Sequence, residues 1–288
     1  MADFLLVQTL NALVYSMLLF ILALGLSLTF GLLRIVNLAH GSFFMLGAYA
    51  AITVERLSGS FWVALLVAPI AIGVLGALIE RLWLRYFYRR HEFDQVILTF
   101  GFTLVFADVV KILWGKDILS LQEPAALDGV LQIAQSVFPA YRLFLIVFGV
   151  VLFVAMWLCI ERTSIGALIR AAVSDRDMVS GLGANVRGLF TGTFAFGALL
   201  AAMGGVLGAP IIGVYPGLDI EILITTLIVV VVGGLGNITG AFWAGLLIGA
   251  SETYGRALFP ELARFVIFAV MAAALLLRSL RLPEEEIE

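Results

Sequence analysis

The sequence predicts an all-α polytopic membrane protein of about nine transmembrane helices (eight to ten), with broken or re-entrant segments. Three observations predict it. The 288 residues are 62% hydrophobic and 13% charged, against about half apolar and a quarter charged in soluble domains. Apolar runs near the ~20 residues of a spanning helix recur along the chain. Lys and Arg gather in short stretches between those runs, as cytoplasmic loops do. A soluble core of this length has no room for so much apolar side chain, so lipid is expected to cover the rest.

The spans follow in order. Residues 4–33 carry no charge, and neither do residues 57–79. Residues 143–160 are shorter but adequate, whereas 188–218 and 222–251 exceed one crossing. Residues 93–115 and 260–277 are helical in pattern but include charges. The start, Met1-Ala2-Asp3-Phe4, has no basic region and the first positive residue is Arg34, so the first run is expected to stay as a span.

Ten of the 17 basic residues lie in three stretches: Arg81/Arg85/Arg89/Arg90, Arg162/Arg170/Arg176/Arg187 and Arg278/Arg281. These are assigned to the cytoplasmic side. The acid-leaning stretch 116–142, with Asp117, Glu123 and Asp128, is assigned outside. Parity then requires an even number of crossings between Arg187 and Arg278. The glycines of Gly233-Gly234-Leu235-Gly236 break 222–251 into two crossings, because clustered glycine is costly in a helix and favours a turn. Residues 37–54 form a further short span after Arg34, which places the N-terminus outside. Residues 37–54 and 222–232 are the two segments whose re-entry changes the count. Trp83, Tyr86, Tyr88 and Trp157 fall at inner ends, and Trp62, Trp114, Tyr141 and Tyr215 at outer ends, as an aromatic belt does. The whole chain, 1–288, reads as one membrane domain with a single long cytoplasmic loop, 161–188.

That loop has internal structure. Ser174-Asp175-Arg176-Asp177 reads as an N-cap with acidic residues in the first turn, which satisfy orphan N–H groups and complement the helix dipole. The helix presents Met178, Val179 and Leu182 and stops at Gly183, a natural C-terminal glycine; residues 165–172 form another short helix before it. A helix this short is unstable alone in water and needs a surface, either lipid headgroups or a partner protein. No G-x-x-x-x-G-K-[ST] phosphate loop occurs, Gly115-Lys116 being followed by Asp117, so any ATP hydrolysis has to come from another chain.

Two places combine a glycine break with polar side chains at the start of an apolar helix. One holds Asn37, His40 and Ser42, the other Asn237 and Thr239. Irregular backbone at membrane depth is tolerated when buried in protein or lining a wet cavity, and paired broken segments point to a transport pathway. These five residues are the pathway candidates, against the alternative of interfacial residues at helix starts. Asp108 and Lys111 are placed to neutralise each other. The small residues of 197–208 and 240–249 are expected to serve close helix packing.

The run Gly25-Leu26-Ser27-Leu28-Thr29-Phe30-Gly31-Leu32-Leu33-Arg34-Ile35-Val36-Asn37-Leu38-Ala39-His40-Gly41-Ser42, with Met45-Leu46-Gly47-Ala48-Tyr49 after it, resembles the N-terminal signature of branched-chain amino-acid ABC permeases of the H type. The stretch from Arg170 through Asp175-Arg176-Asp177-Met178 to Leu182-Gly183-Ala184 is similar to that family's ATPase-contacting segment. Gly233-Gly234-Leu235-Gly236-Asn237-Ile238-Thr239-Gly240 resembles its C-terminal signature. Arg170 precedes the Ala pair where many importer permeases have Glu.

The resemblance implies a subunit of the bacterial inner membrane that imports branched-chain or other apolar amino acids. Its partners would be a second, related permease, two cytoplasmic ATPases and a periplasmic binding protein. It gives Ser174, Asp175, Arg176, Asp177, Met178, Val179, Leu182 and Gly183 a role in ATPase coupling. Sugar and nucleoside permeases belong to the same superfamily. An ion-coupled transporter would want unpaired carboxylates at mid-membrane, and the spans offer only Asp108 beside Lys111. No catalytic residues, metal ligands or cofactor are expected, and a net charge of −3 argues against a nucleic-acid partner.

Overall fold

The computed structural model describes residues 2–88, 90–133 and 136–279; Arg89 and Arg281 lie outside them. Nine long helices occur among the described residues. They are α1 (Ala2–Leu33), α2 (His40–Ser58), α3 (Phe61–Leu82), α4 (Glu92–Trp114), α5 (Ala140–Arg162), α8 (Val186–Ile212), α9 (Leu218–Gly233), α10 (Ile238–Leu258) and α11 (Ala263–Ser279). Two short helices, α6 (Ser164–Ser174) and α7 (Arg176–Gly181), fill the long loop. Five of the nine, α1, α3, α4, α5 and α8, are long and apolar enough to cross a bilayer unaided. The rest are shorter or carry charge near an end, and depend on their neighbours. The chain is a multi-pass all-α membrane protein.

α1 is the axis of the bundle. Its 32 residues extend roughly 48 Å, and Leu19–Leu24 is almost wholly hidden from the surface. α8 and α10 pack along it, and α5, α9 and α6 also touch it. Packing relies on small residues, as the sequence suggested. A Cβ on Gly205 would come within 2.0 Å of the Phe44 carbonyl, and one on Gly249 within 2.3 Å of Ser16 Oγ, so α8 and α10 approach α2 and α1 backbone to backbone. α4 and α5 lie outermost, exposing Ile97, Phe100, Leu104, Val147, Val151 and Val154, a surface suited to lipid.

The bundle has two ends. The loop end carries α6, α7 and the turn between α9 and α10, where Gly234 and Gly236 take left-handed φ values of 91° and 80°. The hairpin end carries β1 (Val130–Ile133) and β2 (Ser136–Pro139), an antiparallel pair. The polar stretch there gave no sequence sign of strands. A bridge between Leu119 and Val214 pins this segment to the α8–α9 connection. Tyr141 is not a belt residue: it is fully buried and donates to the Leu207 carbonyl at 2.8 Å. Trp62 and Trp83 are exposed at opposite ends of α3, where a belt would place them.

Candidate functional site

α1 ends because Arg34 adopts φ 54°, the left-handed conformation shared by no other non-glycine among the described residues. The chain then turns back through residues 34–39 into the bundle. Asn37 is buried, and its Oδ1 accepts from Ala39 N at 3.1 Å, closing a local turn that replaces lost helical bonding. Leu38 N donates to Thr99 Oγ1 of α4 at 3.2 Å. Two of the freed backbone N–H groups are thus met by side chains, which helps irregular chain persist at depth.

α2 begins with His40, fully buried, its Nε2 2.9 Å from the Leu22 carbonyl. That carbonyl only accepts, so Nε2 carries the hydrogen, and Nδ1 is left without a partner among the described residues. Ser42 Oγ donates to Asp219 Oδ2 at 2.9 Å. Asp219 sits in the first turn of α9, is 1% exposed, and has no partner at Oδ1 among the described residues. A Cβ on Gly41 would fall 2.1 Å from the Asp219 carbonyl oxygen. Two helix N-termini therefore meet inside the protein around one carboxylate, whose charge both helix dipoles favour.

The second break is different. Asn237 is the N-cap of α10, accepting from Gly240 N at 2.9 Å, and both it and Thr239 are exposed. A Cβ on Gly31 would meet Gly236 Cα at 2.9 Å, so this turn rests on the last turns of α1. Beside that contact opens a cleft of about 570 Å³. Ser27, Arg34, Asn237 and Thr239 line it, with Glu92, Glu161 and Arg170 and apolar wall residues from α1, α5 and α6. The structure thus splits the five polar residues of the two breaks. Asn237 and Thr239 face the cleft, while Asn37, His40 and Ser42 are sequestered in the bundle.

The long loop is built as two capped helices. The cap of α7 is Asp175, whose Oδ1 accepts from Met178 N at 2.9 Å; Ser174 is the last residue of α6, one position short of the capping role expected of it. Gly183, at φ 85°, ends α7 as anticipated. The apolar residues divide: Met178 and Leu182 are 65% and 78% exposed, whereas Val179 is 6% exposed and faces the chain's own core. Asp177 is exposed as well.

Arg176 turns inward. Its Nη2 donates to the Leu32 carbonyl in the last turn of α1 at 2.9 Å, and its guanidinium lies 4.8 Å from the Phe190 ring centroid of α8. Burial, and then the neighbouring Arg34 charge, lower its pKa from the ordinary arginine value. Phe190 packs edge-on against Tyr88 at 5.5 Å, and Tyr88 Oη donates to Glu80 Oε1 at 2.9 Å. Glu80, at the end of α3, is fully buried and also accepts from Arg85 Nη2 at 3.2 Å and Thr191 Oγ1 at 2.6 Å. Burial, followed by that carboxylate, raises the Tyr88 phenol, which therefore stays protonated and donating. One connected set of contacts joins α7 to the loop ends of α1, α3 and α8.

Three buried carboxylates escaped the sequence reading: Glu80, Asp219 and Glu252. Glu80 and Glu252 are paired with Arg85 and Arg256. Asp219 was hidden because it falls between two apolar runs, and α9 starts at Leu218 rather than after it. The glycine-rich approach before it, Gly213 and Gly217 at positive φ, was the available signal. Asp108 and Lys111 do pair, at 3.0 Å on an exposed face.

Residues 8–275 match the family model described as "Branched-chain amino acid transport system / permease component". The chain belongs to this family. It is 29% identical, over 94% of its length and 93% of the relative, to the high-affinity branched-chain amino acid transport system permease protein BraD of Pseudomonas aeruginosa. To the permease LivH of Salmonella typhimurium it is 28% identical, over 89% of this chain and 88% of that one. A probable LivH permease of Methanocaldococcus jannaschii is 28% identical over 84% and 78%. Among solved structures, PsaBC from Streptococcus pneumoniae in complex with Fab superposes with a TM-score of 0.51, covering 96% of this chain and 92% of that one. At 14% identity this is a likeness of fold.

Proposed function

We propose that this chain is the membrane-spanning permease subunit of an ATP-driven importer for branched-chain or other apolar amino acids in the bacterial inner membrane. The observation that carries the reading is the family match along residues 8–275. The loop end faces the cytoplasm: Arg81, Arg85, Arg162, Arg170, Arg176 and Arg187 all lie there, which accords with the positive-inside rule. A binding protein delivers substrate at the hairpin end, and a second, related permease completes the passage.

ATP hydrolysis belongs to partner ATPases, because the chain has no phosphate loop. α7 is their docking helix, offering Met178 and Leu182 to a groove while Asp175, Arg176, Asp177 and Gly183 shape and anchor it. Ser174 joins α6 to α7, and Val179 holds α7 against the membrane domain. Alternating access moves the breaks at 34–39 and 234–237 relative to one another, with Asn237 and Thr239 on the cytoplasmic mouth. Asn37, His40 and Ser42 hold the inner break. Reconstituted with its partner chains, the transporter is expected to accumulate leucine only with ATP and the binding protein. Accumulation by this chain alone under a proton or sodium gradient would instead support an ion-coupled carrier, the class that Asp219 with its unpartnered oxygen would suit.

A further inference from the structure

We infer that the cytoplasmic cleft beside the two breaks is a release-side binding site for the transported amino acid, taking its ammonium and carboxylate at the rim and its side chain against the wall. The inference rests on the amino-acid permease reading above and adds where, and by which groups, this subunit touches its substrate.

The cleft, about 570 Å³, falls within the range of small-ligand sites, roughly 300–1,000 Å³. Its rim bears two cationic and two anionic side chains: Arg34 and Arg170, Glu92 and Glu161. Arg170 and Glu161 satisfy one another loosely, at 3.8 Å. The Arg34 and Glu92 side chains make no ion pair or hydrogen bond among the described residues. A balanced rim of this kind gives no net attraction to a purely anionic or cationic ligand, and it complements a zwitterion. The Arg34 fork suits a carboxylate, and Glu92 suits an ammonium.

Arg34 has a second mark. Its φ of 54° is a conformation that glycine adopts without strain and that an L side chain adopts at an energetic cost. Strain of that kind concentrates where a side chain is held for function. Ser27 also lines the cleft; its Oγ is fully buried and has no hydrogen-bond partner among the described residues, the exception for a buried hydroxyl. Leu28, Phe30, Ile169 and Leu235 supply the apolar wall on which a branched side chain packs.

Trp157 lines the same cleft and reports on it. In the assembled transporter, in nanodiscs, this chain would carry Phe in place of Trp62, Trp83, Trp114 and Trp243, leaving one of its own five tryptophans, and a matched sample with Trp157→Phe as well supplies the partner-chain fluorescence to be subtracted. L-leucine, 3-methylbutylamine (no carboxylate) and 4-methylpentanoate (no ammonium) are then titrated from the cytoplasmic side. A saturable Trp157 response to leucine, absent with the two truncated compounds, is expected. Arg34→Gln should weaken it by about tenfold or more, and Glu92→Gln likewise, the scale of losing one charge-assisted hydrogen bond; Arg34→Lys should fall between. Equal responses to all three compounds, or a leucine response untouched by Arg34→Gln, would overturn the assignment. So would a signal that leucine leaves unchanged and delipidation alters, which would mark a lipid headgroup as the occupant. ATP-driven leucine uptake by the same preparation separates the two levels. Uptake without the Trp157 response refutes the cleft and leaves the permease reading standing, whereas a parent transporter that carries no apolar amino acid refutes both.

Discussion

Replacing Arg176 with Ala should detach α7 from the membrane domain without unfolding either. The side chain makes a charge-assisted hydrogen bond to the Leu32 carbonyl at 2.9 Å, worth about 1.5–3 kcal/mol. It also makes a cation–π contact to Phe190 at 4.8 Å, worth about 0.5–1 kcal/mol at a partly exposed position. Their sum, about 2–4 kcal/mol, lies below the stability of a typical domain, about 5–15 kcal/mol, so the bundle should persist. Since a tenfold change corresponds to about 1.4 kcal/mol, hydrogen-exchange protection of the amides in α7 should fall by about 30- to 1,000-fold. Amides in the core of α1 and α8 should keep theirs. Arg176→Lys retains the charge and loses the planar stacking, so its loss should be smaller. In the assembled transporter the Ala variant should still bind the ATPase through Met178 and Leu182, and hydrolyse ATP, while leucine carried per ATP declines. Unchanged protection of α7 in the Ala variant would refute the anchoring argument, and an unchanged transport ratio would refute its link to coupling.

Three further outcomes follow from the same contacts. Gly31→Ala places a methyl 2.9 Å from Gly236 Cα, forcing the α9–α10 turn away from α1; uptake should drop at least several-fold with the amount of inserted protein near normal, and full uptake would show that this contact is not needed in the cycle. Ser42→Ala removes the side-chain hydroxyl that donates to the buried Asp219 carboxylate and should destabilise the chain by about 1–3 kcal/mol, read as earlier unfolding in detergent; restoration by Asp219→Asn in the same chain would identify the uncompensated charge as the cause. Single cysteines at Gly183 and Leu127 should be labelled from opposite sides of the membrane, Gly183 from the cytoplasm. Labelling from one side would break the assigned orientation.

Much of the architecture was legible because lipid imposes a simple rule: an uncharged run of sufficient length has to be a helix. α1, α3, α5 and α8 follow from that rule, and the Gly234–Gly236 turn follows from glycine's tolerance of positive φ. The location of α7 was equally plain, and Gly183 ends it at φ 85°. What a sequence does not carry is direction in space. Nothing in the spacing of Met178, Val179 and Leu182 separates the one that packs inward from the two left exposed. The cap shifted from Ser174 to Asp175 because both residue types cap helices and α6 ends at Ser174, two residues beyond the 165–172 expected from its apolar pattern. Asp219 was missed because charge at the edge of an apolar run reads as interface, whereas the backbone of Gly41 draws α9 over it. Tyr141 failed as a belt residue for a similar reason, its hydroxyl having found the Leu207 carbonyl indoors.

The central claim is that an external ATPase drives this subunit through α7, and the Met178→Asp, Leu182→Asp double variant tests it most directly. Both side chains are mostly exposed in the isolated chain, so the substitutions leave its own core intact, and two carboxylates in an apolar groove have no compensating partner. The measurement is ATP-dependent leucine uptake alongside the amount of ATPase that co-purifies. The account predicts normal insertion of the permease, with ATPase association and uptake both lost. Full uptake with the ATPase still bound would contradict it.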